Sequence, residues 1–109
     1  MALKRWTEAK PVEMALGVVR RTLNYGERTL LSEVTMEPGA VVPWHSHPHE
    51  QIGYLVSGRL LMEVGEEKLE LGPGDTWLIP GNVPHQATAI ERCLIIDVFS
   101  PVREEYVDR

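Results

Sequence analysis

The chain has four histidines, and three of them fall within the short run Trp44-His45-Ser46-His47-Pro48-His49-Glu50-Gln51. In an extended strand successive side chains alternate faces, so His45 and His47 share one face and can converge on a metal ion. Pro48 has no N–H for a ladder and favours a strand end or a turn. A turn through Pro48–Glu50 swings Gln51 back beside the two imidazoles. His85 lies far along the chain, after Pro-Gly-Asn-Val-Pro. Two close histidines and one distant one form a common ligand pattern, because the distant residue ties separate strands to a shared ion. Against this stands the ordinary reading of each histidine alone as a surface or satisfied core residue. His49 and Glu50 fall on the turn itself and read as solvated, with Glu50 as a further oxygen donor in the alternative.

The elements that must position these residues are short strands. Eight Pro and nine Gly interrupt segments rich in Val, Leu and Ile, a spacing that predicts an all-β sandwich or barrel of eight to ten strands. Gly-Val-Val-Arg-Arg-Thr-Leu and Arg-Thr-Leu-Leu-Ser-Glu-Val-Thr-Met flank a turn in which Gly26 is available for a positive φ. Gly-Arg-Leu-Leu-Met-Glu-Val and Glu-Lys-Leu-Glu-Leu flank Gly-Glu-Glu, a second hairpin. Ala-Val-Val-Pro-Trp-His-Ser-His reads as one strand. Tight turns predict antiparallel pairing, since parallel pairs need crossovers of a dozen residues or more. A jelly-roll barrel also hides its strand edges. The tail from Pro101 onward reads as a last helical turn or a loose end.

The totals bound the function. At 109 residues the chain is expected to be one domain, 1–109. A net charge of −5 with interspersed signs argues against a nucleic-acid or anionic-membrane surface, which needs a basic patch. Cys93 is the one cysteine and sits in an apolar run, so it reads as a buried structural thiol. The first ten residues are too polar for a signal peptide, and no apolar run approaches ~18 residues. The expected location is cytoplasmic. Trp44 and Trp77 read as core residues, and Trp6 as a surface or partner contact.

From Gly39 to Gly58 the chain reads GAVVPWHSHPHEQIGYLVSG, which resembles the first motif of the cupin superfamily, G-x5-H-x-H-x3,4-E-x6-G. Gly39, His45, His47 and Gly58 are in register, and Gln51 takes the Glu slot. From Gly74 to Ala89 it reads GDTWLIPGNVPHQATA, which resembles the second motif, G-x5-P-x-G-x2-H-x3-N. Gly74, Pro80 and His85 match; Asn82 takes the second Gly slot, with Gly81 one position early, and Ala89 takes the Asn slot. The resemblance implies a cupin double-stranded β-helix with a metal held by His45, His47, Gln51 and His85. Gln51 offers a neutral carbonyl where the family has a carboxylate, so the ion keeps more Lewis acidity and is bound more weakly. Zn, Ni, Mn, Fe or Co all suit such a donor set.

HSHPHEQIGYLVSG followed by DVFSPVRE is similar to the pectin-degradation cupins of the KdgF type. That likeness implies ring opening of 4,5-unsaturated monouronates to linear 4-deoxy-5-keto uronates. Such chemistry needs an acid/base group, a cation for the substrate carboxylate and a group that polarises oxygen. Asp97 is the sole charge in the apolar run Cys-Leu-Ile-Ile-Asp-Val-Phe-Ser-Pro and is the candidate acid/base. Arg103 is the candidate carboxylate clamp. Phe99 shares the strand parity of Asp97 and packs the core or walls the cavity. Two other readings stand beside this one: a metal-dependent dioxygenase, and a non-catalytic metal or sugar-acid-binding module that has no use for Asp97. Small cupins commonly pair through N-terminal strands, and the apolar excess of Leu-Gly-Val-Val-Arg-Arg-Thr-Leu predicts a homodimer.

Overall fold

The computed structural model describes residues 2–108, and ten strands account for most of them. In chain order these are β1 (Pro11–Ala15), β2 (Val18–Tyr25), β3 (Leu30–Met36), β4 (Val41–His45) and β5 (Glu50–Ser57), followed by β6 (Leu60–Val64), β7 (Glu67–Leu71), β8 (Thr76–Ile79), β9 (His85–Ala89) and β10 (Cys93–Ser100). Single 3-10 turns occur at Trp6–Glu8 and Glu104–Tyr106. Among the described residues, no helix is long and apolar enough to cross a membrane.

The strands form two antiparallel sheets. One has six strands in the order β1-β2-β3-β10-β5-β8, the other four in the order β4-β9-β6-β7. The inner faces follow from sequence parity. In β10, Cys93, Ile95, Asp97 and Phe99 are buried, while Leu94, Ile96 and Val98 face the other way. Leu55 and Ile79 from the larger sheet meet Leu60, Met62 and Ala89 from the smaller one in a single apolar cluster. Alternation along each strand thus supplies both a core face and the direction in which polar side chains must point to reach the interior.

Several turns depart from the expected detail. Gly65, between β6 and β7, has φ 57, as the hairpin needs. Gly26 does not take a positive φ; its loop is longer and closes through a bond from its own N–H to Thr29 O. β1 went unread because Pro11, Glu13 and Met14 are all exposed and the register shifts between Glu13 and Ala15, which leaves little alternation to see. The tail is a 3-10 turn and not a loose end.

Trp44 is not a core residue: it is 48% exposed. The reason is a bulge. Between the pairs Val42↔Ala87 and His45↔His85, β4 carries one residue more than β9. Strict alternation would send Trp44 inward with Val42. The extra residue, next to a Pro that cannot donate to the ladder, resets the parity and turns His45 inward instead. Trp77, by contrast, is buried.

Candidate functional site

Each histidine reaches the barrel interior by a different device. His45 ends β4 just past the bulge and lies directly across from His85, the first residue of β9. Their ring centroids are 4.2 Å apart. His47 is not on the β4 strand, which stops at His45; it follows in the loop before β5 and is buried. Its main-chain oxygen accepts the N–H of Asn82 at 2.7 Å. That bond joins the loop carrying His47 to the turn leading to His85. The same turn explains the shifted glycine: Asn82 itself takes the left-handed φ of 66, which Asn tolerates. A Cβ on Gly81 would meet Pro48 O at 2.5 Å, so the two loops can pack only with glycine there.

The candidate ligand atoms of His45, His47 and His85 all lie within 4.8 Å of one another, a group that could hold a metal ion. Backbone carbonyls set their tautomers. Nδ1 of His45 donates to Pro43 O at 2.8 Å, and Nδ1 of His85 donates to Val83 O at 2.9 Å. Each Nε2 then offers a lone pair, and that of His85 is buried without a hydrogen-bond partner. His47 is the sharper case. Its Nδ1 is 3.0 Å from His49 O, and its Nε2 is 3.1 Å from Gln51 Oε1. Burial, with Arg103 nearby, lowers its pKa to about 4, so near neutrality it carries one proton between two oxygen acceptors. A lone pair therefore faces an oxygen on one side, and a cation between His47 and Gln51 relieves that contact. The donor set thus fits a divalent ion.

Gln51, the first inward residue of β5, links this group to the larger sheet. Its Nε2 donates to Asp97 Oδ1 at 3.0 Å. Asp97 is buried on β10, and burial, opposed by Gln51, Arg103 and Trp77, raises its pKa to about 6. Gly53 stands between Asp97 and Trp77 in the sheet register. A Cβ on Gly53 would overlap the Trp77 indole at 2.0 Å, so glycine lets the ring lie across this position.

A cavity of about 240 Å³ opens onto these groups. His45, Gln51, His85, Asp97, Arg103 and Tyr106 form its polar end; Met14, Met36, Met62 and other apolar side chains line the rest. Arg103 is 11% exposed, and its guanidinium lies 4.1 Å from the Tyr106 ring centroid and 5.2 Å from that of Phe99. Its Nε is 3.3 Å from Glu105 Oε1, outside hydrogen-bond geometry. A stacked, desolvated guanidinium of this kind suits a planar carboxylate. Phe99 also meets His47 edge-on at 5.7 Å. His49 is half-buried with its Nδ1 enclosed, so it is less solvated than a free turn residue, and Glu50 is exposed at the start of β5.

Two cavity residues escaped the reading of the sequence. Tyr106 is a lone aromatic in a charged tail, where no periodicity marks it. Trp77 read as core packing, because nothing in its strand shows that its indole edge turns to a carboxyl.

Comparison with known proteins agrees with this geometry. Residues 32–99 match the family model of the cupin domain. The fold superposes with a TM-score of 0.92 on an RmlC-like cupin from Shewanella frigidimarina, 26% identical, over 98% of this chain and 96% of that one. KdgF from Halomonas sp. gives a TM-score of 0.88 at 33% identity, over 94% of this chain and 96% of that one. Oxalate decarboxylase of Bacillus subtilis is 28% identical over 79 residues, which is 68% of this chain and 20% of that protein. The chain spans between 20% and 50% of the length of the curated relatives it matches.

Proposed function

The chain belongs to the cupin domain family, and from that premise we propose a metal-dependent enzyme that opens 4,5-unsaturated monouronates to linear 4-deoxy-5-keto uronates. The observation that carries the reading is the double contact of Gln51. One amide bonds the Asp97 carboxyl and faces the histidine group, so an acid/base residue and a cation site border one cavity. The likeness to KdgF from Halomonas sp. supports the choice of substrate class.

The reaction is an isomerisation and needs no oxidant. The ring enol ether gains a proton at C4, and the C1–O5 bond breaks. O5 becomes the keto oxygen at C5, and the C1 hydroxyl loses its proton to become an aldehyde. Asp97, its pKa raised by burial to about 6, close to the working range of a general acid, supplies the proton to carbon. One proton enters the sugar and one leaves, so the carboxyl is restored over the cycle. Arg103 clamps the substrate carboxylate, its guanidinium already stacked and desolvated. A divalent ion on His45, His47, His85 and the Gln51 carbonyl would act as a Lewis acid on substrate oxygen. Phe99 and Trp77 limit water around the carboxyl. A pure binding module would gain nothing from a buried acid of this kind, which favours the enzyme.

The same reading carries a cytoplasmic location and a homodimer. The outward apolar row of Ile52, Tyr54 and Val56 on β5 with Leu78 on β8 supports self-association, and light scattering at micromolar concentration measures it. For the activity, purified protein is loaded in turn with Zn, Ni, Mn, Fe and Co and given lyase-generated unsaturated monouronates. Formation of the linear keto acid is the expected result; none with any ion overturns the reading.

A further inference from the structure

β2 turns Val18, Arg20 and Thr22 to the interior, and Arg20 is a guanidinium at 4% exposure. A charge at such a position is unfavourable unless it is paired. Its partners come from the C-terminal segment. Nη2 of Arg20 is 3.2 Å from Asp108 Oδ1, and its guanidinium carbon is 4.2 Å from the Tyr106 ring centroid. Two places along β2, the Thr22 hydroxyl donates to Tyr106 O. The Arg103 guanidinium lies 4.1 Å from the same centroid. Arg20 and Arg103 thus share the Tyr106 ring, which meets Phe99 edge-on at 5.4 Å, and Phe99 in turn meets His47.

We propose that Arg20 is a positioning residue for the anion clamp: it holds Tyr106 and Asp108 against β2 and so makes residues 103–108 a strap that fixes Arg103 over the cavity. This rests on the reading of Arg103 as the group that binds the substrate carboxylate. The physical gain is preorganisation. A long, flexible guanidinium outside any strand loses rotamer freedom when it binds an anion, and the stack removes that freedom beforehand.

The test uses the metal-loaded full chain with Arg20→Met, Arg20→Lys and Tyr106→Ala. Arg20→Met and Tyr106→Ala should each raise KM for the unsaturated monouronate at least about tenfold, with kcat within about twofold. Amide exchange in residues 101–108 should speed up at least about tenfold while that of β3 and β10 stays as in the parent. Arg20→Lys keeps the charge near Asp108 but lacks the planar stack, so it should fall between. Unchanged exchange in residues 101–108 in both Arg20→Met and Tyr106→Ala overturns the proposal, as does a loss confined to kcat. A parent protein that opens no unsaturated monouronate refutes the proposed function instead. The exchange measurement, which needs no substrate, then decides the strap by itself.

Discussion

Gln51 donates to Asp97 Oδ1 at 3.0 Å, and this one bond crosses from a candidate metal ligand to the candidate proton donor. Gln51→Glu would put a second carboxylate where a donor now stands. The added charge should tighten metal binding, while the lost bond and the like-charge contact should lower turnover at least about tenfold. Calorimetric titration with Ni or Zn and a product assay on the same preparation separate the two effects. Tighter metal binding with full turnover would contradict the role given to this bond.

Asp97→Asn keeps shape and volume but cannot deliver a proton. Turnover should drop by about 10²- to 10⁴-fold, the usual share of general acid–base catalysis. Metal content per chain, measured by elemental analysis, should stay at the parent value, because the bond to Gln51 can be kept by the amide oxygen.

His85→Ala removes the imidazole whose Nε2 is buried and unpartnered. Metal affinity should fall at least about 100-fold. The stabilisation by ion should fall with it. At a free ion concentration of 100 Kd the parent gains about 2.7 kcal/mol, seen as a rise in Tm. A variant whose Tm rises as much as the parent's with the same ion would show that His85 is not a ligand.

The pH dependence of the chelator-treated protein has two opposing parts. His47, lowered to about 4 by burial, and His85, lowered for the same first reason, bind protons less readily folded than unfolded. Both contributions are whole above the ordinary histidine value near 6.5 and are lost as pH falls below it, that of His47 as pH approaches about 4. Asp97, raised to about 6 by burial, works the other way. Between about 3.8 and 6 the folded state holds its proton more tightly, so stability falls as pH rises through that window. Denaturant melts from pH 4 to 7 should therefore show a weak net slope. Asp97→Asn should steepen it, with stability then rising with pH throughout.

Gly53→Ala tests the row that joins Asp97 to Trp77. The new Cβ would lie 2.0 Å from Trp77 Cε2, so the indole must move. The expected cost is about 1–3 kcal/mol, or a Tm drop of about 4–8 °C for each kcal/mol in a chain of this size. Turnover should fall as well, since Trp77 and Asp97 shift together.

Much of this protein was legible without coordinates. Period-two alternation in β2, β3, β6 and β10 marks their buried faces, and Gly and Pro mark their ends, because strand geometry is local. The cupin motifs identified the fold, and the histidine spacing pointed to the cation site. Whether His47 lay on a strand, whether Trp44 faced inward and what Arg20 was doing on an inner face could not be read this way. Those depend on a bulge in β4, on a bond from Asn82 to the His47 carbonyl and on a tail that folds back over β2. Each is a relation between residues far apart in the chain. Local sequence sets which face a side chain takes within a strand; only the packing of one segment on another decides where strands break parity and which buried charge finds its partner.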